Sequence, residues 1–285
     1  MEPINLKPFL KMVLLLSKSP IHESVLNRLG FTITRAKKIL DMLIQIELVS
    51  RSGNTFELSS RGQQVLQWIR QRQWLSIDHY LTKHHPAYRR LKDIIIKWYE
   101  FGNEKGIPIN DVTNFEKRLL EEGYVKETFV KNKVILAFLV DWGERLGGIM
   151  ENKLSEPSRL YLLAEQKSPE RAHVLLKNMY QALAGKGLGE KYYLPIASFR
   201  EYSCELLRIP RNLFDTILIN LYEEKPECVR LFSAPETTIS LEGARKIRQI
   251  EYQENDVIEV NRSPLYGLKL NNSTFYYVHL EVDKL

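Results

Sequence analysis

The sequence predicts a mainly α-helical protein of the α+β class, with small β-hairpins between helices and a β-rich C-terminal tail. Apolar residues recur at helical spacing through most of the chain. Two short strand-like runs flank the turn-forming residues Ser52-Gly53-Asn54. Near the C-terminus apolar and polar residues alternate as in strands, in the runs Val257–Val260, Leu265–Leu270 and Phe275–Val282.

Length and composition indicate several folded modules. Of the 285 residues, 44% are hydrophobic and 27% are charged, a balance typical of soluble globular proteins. This length is enough for two or three modules with separate cores. We predict modules at residues 1–74, 75–166 and 167–285.

The first module reads as three helices followed by a hairpin. A helix over residues 4–17 precedes a short second helix over 21–29, which Gly30 ends. Thr32 or Thr34 can cap a third helix that runs to about Ile46. Residues 48–51 and 55–58 are predicted strands, and a further helix rich in Arg and Gln begins at about Ser60.

Four segments in this order resemble the winged helix-turn-helix superfamily over about residues 4–74: Val25–Gly30, Thr34–Leu40, Glu47–Val49 and Leu58–Gly62. In that superfamily the third helix enters the DNA major groove and the hairpin, the wing, follows the neighbouring backbone. The resemblance implies DNA contacts from eight residues: Thr34, Arg35, Lys37, Lys38, Gln45, Arg51, Asn54 and Arg61. The alternative reading is that these residues form the solvated face of an amphipathic helix in a protein-docking module.

The other two modules are predicted to be winged-helix-like, which makes the architecture a tandem array. In the middle module Asp141 and Glu144 stand beside Arg145 on a mostly apolar third helix, so we expect packing there rather than phosphate contact. In the third module a capping box at Ser198-Phe199-Arg200-Glu201 predicts a helix start. Four of its residues are secondary candidates for nucleic-acid contact, with docking left open: Arg208, Arg211, Asn212 and Thr216.

The sequence shows no pattern that holds a metal, a cofactor or a catalytic group. Cys204 and Cys228 lack zinc-site spacing, and His79, His84 and His85 have no matching carboxylate pair. Phosphate-loop, dinucleotide and nucleophile-elbow motifs are absent. We therefore expect a non-enzyme without cofactor or metal. The alternative is an unrecognised nuclease that uses Asp256, Glu259 and Glu281.

Charge and hydropathy complete the functional expectation. The 41 Lys and Arg against 35 Asp and Glu give a net charge of +6, which favours a polyanionic partner. The longest apolar runs fall short of the roughly 20 residues that span a bilayer, and residues 1–5 lack the basic start of a signal peptide. We therefore expect a cytoplasmic protein with no membrane partner.

The sequence thus predicts a non-catalytic double-stranded DNA-binding protein. It would act as a transcription regulator or as the DNA-engaging subunit of a mobile-element or defence complex, together with a protein partner or further copies of the chain. The first alternative is a docking scaffold built from winged helices. The second is an RNA or single-strand binder that stacks bases on Trp68 and Trp74, which requires both rings to be exposed.

Overall fold

The protein is mainly helical with small antiparallel sheets, as predicted, and it divides into two compact units. The computed structural model describes residues 6–163, 172–185, 193–233, 249–251, 257–259, 267–271 and 273–284. Unit one comprises Met1–Ile149 and Ile250–Ile258, and unit two comprises Met150–Gln249 and Glu259–Leu285. The module boundary predicted between residues 74 and 75 therefore lies inside unit one.

Unit one begins with the elements expected of the first module: α1 (Leu6–Lys18), β1 (Ile21–His22), a 3-10 helix (Glu23–Arg28), α2 (Ile33–Gln45), β2 (Val49–Ser52), β3 (Thr55–Leu58) and α3 (Ser60–Arg70). The short second helix predicted over residues 21–29 is a 3-10 helix, and it begins at Glu23 instead of Ile21. Ile21 pairs with Phe56 of β3, which extends the backbone there, and His22 Nδ1 accepts from the Ser24 amide to start a 3-10 turn instead.

The predicted hairpin is confirmed. β2 and β3 pair antiparallel from Val49 opposite Leu58 to Ser52 opposite Thr55, and the sheet order is β1-β3-β2. Gly53 at the tip has a φ of 58°, in the left-handed region that glycine adopts without strain. The hairpin is therefore held on one edge by β1, and Gly53 and Asn54 form its exposed tip.

Helix α2 is capped and amphipathic as predicted. Thr32 is the N-cap, since its Oγ1 accepts from the Arg35 amide at 3.3 Å. The inward residues are all buried: Ala36, Ile39, Leu40, Met42 and Leu43. Apart from Ile33 in the first turn, the exposed residues are polar or charged, so one face of the helix is left for solvent or a ligand.

The rest of unit one is built from α4 (Trp74–His84), α5 (Pro86–Glu100), β4 (Ile107–Pro108), α6 (Val112–Glu121) and α7 (Lys133–Leu146). It also includes most of β9 (Gln249–Glu251) and β10 (Val257–Glu259), which pair with each other. Trp142 of α7 is fully buried, and its ring lies 6.1 Å from Phe9 and 5.0 Å from His85, between ring centroids. Because Phe9 belongs to α1, the predicted first and middle modules share one core.

A buried polar cluster stands beside that core. The Asp78 carboxylate, 1% exposed, accepts from the Tyr88 hydroxyl at 2.5 Å and pairs with the Lys92 ammonium. Gly148 packs directly on Asp78, where any Cβ would overlap the carboxylate. The ionised carboxylate on α4 is thus satisfied by two donors from the neighbouring helix α5.

Unit two contains β5 (Ile149–Asn152), β6 (Arg159–Leu162), α8 (Ala172–Ala184), β7 (Leu194–Pro195), α9 (Ile196–Leu207), α10 (Arg211–Glu224), β8 (Val229–Phe232), β11 (Leu268–Leu270), β12 (Ser273–Phe275), β13 (Tyr277–Leu280) and a 3-10 turn (Val282–Lys284). β13 lies between β7 and β8, with Val278 opposite both Leu194 and Leu231. The prediction that the tail completes this sheet is confirmed for β13, whereas β11 pairs with β12 and β10 with β9 in separate sheets. Thr237–Leu241, whose sequence also predicts a strand beside Cys228–Phe232, lies outside the described residues.

The helix predicted to begin at Ser198 begins two residues earlier. Pro195 ends β7 and is the N-cap residue of α9, and the Ile196 amide donates to the Tyr276 carbonyl at 2.8 Å. The Tyr276 carbonyl therefore satisfies the first free backbone amide of α9. Ser198 lies in the first turn of α9 and is not its N-cap residue. Across the described ranges no helix is long and apolar enough to cross a membrane.

Candidate nucleic-acid interface

The positive charge of the chain is concentrated in its first 74 residues. They hold 11 Lys and Arg against 5 Asp and Glu, whereas residues 75–285 hold 30 of each. The whole net charge of +6 therefore arises from the segment that contains α1, α2, α3 and the β2–β3 hairpin. This net positive charge favours a polyanionic ligand at this segment.

The outer face of α2 carries much of that charge. Thr34, Lys38, Asp41 and Gln45 follow one another at intervals of three or four residues and so form one exposed line along the helix. Arg35 and Lys37 flank this line on its two sides and are also exposed. We define the outer face of α2 by these six residues. The structure brings all five predicted α2 residues together, and it adds Asp41, which the sequence reading missed.

The hairpin presents two further predicted residues. Asn54 is exposed at the tip. The Arg51 guanidinium lies 5.2 Å above the Phe56 ring and donates from Nε to the Gly53 carbonyl at 2.9 Å. These contacts hold Arg51 along the hairpin instead of leaving it extended into solvent.

Glu23 joins the hairpin to α2. Its Oε1 lies 2.6 Å from Lys37 Nζ and its Oε2 lies 3.2 Å from Arg51 Nη2, so one carboxylate bridges two of the predicted DNA-contacting cations. Its amide donates to the Asn54 carbonyl at 2.8 Å. The hydrogen bond from Lys37, with the charges of Lys37 and Arg51, lowers the pKa of Glu23. We call this arrangement the Glu23 bridge.

Arg61, the eighth predicted residue, is exposed but ion-paired. Its guanidinium pairs with the carboxylate of Glu47, a residue with a left-handed φ of 63° directly after α2. The Ser59 hydroxyl donates to the Glu47 carbonyl at 2.6 Å and also caps α3 by accepting from the Gly62 amide. Arg61 is therefore tied to the junction between α2 and the hairpin.

The secondary candidates of unit two separate into buried and exposed residues. The expectation that Arg211 faces a nucleic acid was wrong, because it is 1% exposed and its guanidinium forms a bidentate pair with Glu201. Its helical neighbours at three, four and seven residues, Phe214, Asp215 and Leu218, are buried as well, and this spacing was the signal to read.

The other three candidates are more accessible. Arg208 is half-buried, with its guanidinium 5.4 Å above the Tyr161 ring. Asn212 and Thr216 are exposed, but the Thr216 hydroxyl donates to the Asn212 carbonyl within α10. These residues form no basic surface comparable with the outer face of α2.

Helix α7, in the predicted middle module, packs in the core of unit one and does not present a charged surface. Trp142 and five other residues of α7 are buried, and the Arg145 guanidinium pairs with Asp141 at 2.9 Å with side chains only 9% and 16% exposed. Lys133 is exposed at the start of the helix. Arg145 is thus part of the packed side of α7.

The aromatic residues that are exposed differ from those expected. Trp68 and Trp74 are half-buried, and Trp68 packs 6.3 Å from Tyr80. Phe101 and Tyr124 are 38% and 56% exposed and lie edge to face at 5.6 Å. Arg118 and Lys97 cover these two rings, and each cation is paired with a carboxylate, Glu122 and Glu100 respectively. This aromatic patch is therefore apolar with locally balanced charge.

Among the residues that the structure describes, no three His, Cys, Asp or Glu side chains lie close enough together to hold a metal ion. Cys204 and Cys228 are buried free thiols, as predicted. Comparison of the chain with protein-family models, curated proteins and solved structures gives no match.

Proposed function

We propose that the protein binds double-stranded DNA without catalysis, through the outer face of α2 and the β2–β3 hairpin. The observation that carries the proposal is that the entire net positive charge lies in residues 1–74, where α2 exposes Arg35, Lys37 and Lys38 on one helix. Phosphate neutralisation by such cations supplies the sequence-independent part of DNA affinity.

The geometry of these elements supports a winged-helix mode. A helix, a short strand, a 3-10 turn, the exposed helix α2 and a hairpin follow in that order, with the hairpin tip joined to α2 by the Glu23 bridge. An α-helix fits the major groove of B-DNA, where polar side chains such as Thr34 and Gln45 can contact base edges. Arg51 and Asn54 then lie on the hairpin that follows the backbone.

In this proposal unit two and the middle helices do not contact DNA. Residues 75–285 carry no net charge, Arg211 is buried and α7 packs in the core. They supply the fold and a surface for a protein partner or a second copy of the chain. Such a division fits a transcription regulator or the DNA-engaging subunit of a mobile-element or defence complex.

The test is a fluorescence-anisotropy titration of a labelled duplex at several salt concentrations. Two to four neutralised phosphates give a slope of log affinity against log salt of about −2 to −4. The double variant Arg35→Ala/Lys38→Ala should weaken binding and flatten the slope by about 2 without lowering the melting temperature.

The matched control is Lys117→Ala/Lys133→Ala, which removes two exposed cations from α6 and α7. It should leave affinity close to that of the unmodified protein. A flat salt response, or equal losses in the two double variants, contradicts DNA binding through α2.

The second candidate function is protein docking, and the exposed rings of Phe101 and Tyr124 favour it. Exposed apolar surface of this kind often marks a protein-binding site. Tyr124→Ser should leave duplex affinity unchanged under the DNA proposal. Single-stranded DNA and RNA of equal length, titrated in parallel, distinguish duplex binding from base stacking.

A further inference from the structure

The Glu23 bridge places a carboxylate between two cations that face the proposed DNA partner. The Glu23, Lys37 and Arg51 side chains are 29%, 50% and 47% exposed, so all three are accessible to a ligand. On the same helix face, Arg35 pairs with no carboxylate among the described residues. Lys37 and Arg51 are thus engaged by Glu23, whereas Arg35 is directed to solvent.

A carboxylate and a phosphate compete for the same donors. Both are oxyanions that accept charge-assisted hydrogen bonds from Lys and Arg. A DNA phosphate that approaches Lys37 or Arg51 must share these donors with Glu23 or displace it, and it also meets the negative charge of the carboxylate. Each engaged cation therefore contributes less to phosphate binding than an exposed cation without a partner.

Glu23 is not needed as a charge to hold the hairpin in place. The β1–β3 and β2–β3 pairings fix the hairpin through the backbone, and the Glu23 amide donates to the Asn54 carbonyl whatever the side chain is. Glu23→Gln keeps the size of the side chain and one acceptor oxygen, and it replaces the other oxygen by an NH2 group that cannot accept from Lys37 or Arg51. The charge can therefore be removed without loosening the fold.

We propose that Glu23 is an internal competitor for DNA phosphate, which restrains sequence-independent binding by keeping Lys37 and Arg51 ion-paired. This inference rests on the proposed function and concerns the balance between phosphate and base contacts. The lowered pKa of Glu23 keeps the carboxylate ionised at neutral pH, so the competition persists under ordinary assay conditions.

The test measures affinity for a labelled 20-base-pair duplex of arbitrary sequence at several salt concentrations. Glu23→Gln should tighten binding about two- to fivefold, the range expected from the coupling of exposed charges. The salt slope should become more negative by about 0.9 for each cation that gains a phosphate, and so by up to about 2.

A double-mutant cycle separates competition from a general change in charge. Lys37→Gln should change affinity little in the unmodified protein, and it should remove much of the gain when combined with Glu23→Gln. The matched control is Asp41→Asn, which removes one negative charge from the outer face of α2. Asp41→Asn should leave the small effect of Lys37→Gln unchanged.

The outcomes distinguish this inference from the proposed function. If the unmodified protein binds duplex and Glu23→Gln binds equally or more weakly at the same melting temperature, Glu23 is a structural clamp and the inference is wrong while the function stands. If neither protein binds duplex at low salt, both proposals are wrong. Lys37→Gln alone gives an independent measure that does not alter Glu23: a loss of affinity as large as that of Arg35→Gln overturns the competition.

Discussion

Arg211 and Glu201 form a bidentate ion pair between α10 and α9, with side chains 1% and 2% exposed. Arg211 Nη2 also donates to the Glu151 carbonyl at 2.8 Å. A second pair, Arg200 with Asp215, joins the same two helices at 2.7 Å. The interface between α9 and α10 in unit two therefore contains two buried ion pairs instead of apolar residues alone. Removal of either partner of a pair leaves the other charge buried without a counter-charge.

We predict that Arg211→Met destabilises unit two by about 3–5 kcal/mol, because it leaves the Glu201 carboxylate buried without its counter-charge. The double variant Arg211→Met/Glu201→Met should recover most of this loss. Urea denaturation followed by circular dichroism measures both effects. If the single variant is as stable as the double variant, Glu201 has found another counter-charge. If the folded double variant binds duplex more weakly than the unmodified protein, Arg211 contributes to DNA binding after all.

We predict that the protein loses stability between pH 6.5 and pH 4 through His85. Burial holds the pKa of His85 at about 4, below its ordinary value of 6.5, and its Nδ1 accepts from the Tyr88 amide. Between these two pH values the His85 side chain binds a proton in the unfolded chain but not in the folded protein. The free energy of unfolding therefore decreases by about 3 kcal/mol as the pH is lowered from 6.5 to 4. Above pH 6.5 this contribution is constant.

The free energy of unfolding, measured by denaturant titration at half-unit pH steps, tests this expectation. His85→Asn keeps an acceptor at the N-cap of α5 and removes the titrating ring. It should lower stability at pH 7, because the contact with Trp142 is lost, and flatten the pH dependence from 6.5 to 4. An unchanged slope would assign the acid sensitivity to other groups.

We predict that Gly148→Ala destabilises unit one by about 3 kcal/mol, since the new methyl group would overlap the Asp78 carboxylate and disturb its contacts with Tyr88 and Lys92. Gly102→Ala is the control. That position has open space and a φ of 82°, so only backbone strain of about 1 kcal/mol applies. Thermal unfolding of the two variants compares the effects, and equal losses would mean that the Asp78 cluster adapts.

We predict that Thr32→Ala lowers the stability of α2 by about 1 kcal/mol, because the Arg35 amide loses its cap. Under the proposed function it should also weaken duplex binding modestly, by fraying the turn that carries Thr34 and Arg35. Amide hydrogen exchange in residues 33–37 reports the fraying. Thr34→Ala is the matched control, since it removes an exposed hydroxyl from the same turn and keeps the cap; faster exchange in both variants would argue against the cap.

Local signals predicted the elements of the first module well. The cap at Thr32, the apolar period of α2 and the turn at Gly53 each depend on residues within a few positions of one another. The failures came from distant contacts. The extended backbone at Ile21 is imposed by Phe56, and the early start of α9 is favoured by the Tyr276 carbonyl, which a capping box at Ser198 cannot reveal.

The candidate site shows the same limit. The helical period predicts that the basic side chains of α2 are exposed, but it does not predict which carboxylates they pair with. Glu23 reaches Arg51 across 28 residues of sequence, and no local pattern marks that pairing. Arg211 is different, because its spacing from Phe214 and Leu218 already places it on the inner face of α10. Asp41 likewise follows from its spacing with Thr34 and Lys38.

Because β13 is the central strand of its sheet, β8 has no partner strand until β13 has been synthesised. β8 ends at Phe232 and its partner β13 begins at Tyr277, about 45 residues later. At a synthesis rate of roughly 5–20 residues per second, β8 waits about 2 to 9 s with its edge unpaired. The exposed Arg230, between Val229 and Leu231, bears on that interval, because a charged side chain on an edge strand hinders pairing with other chains.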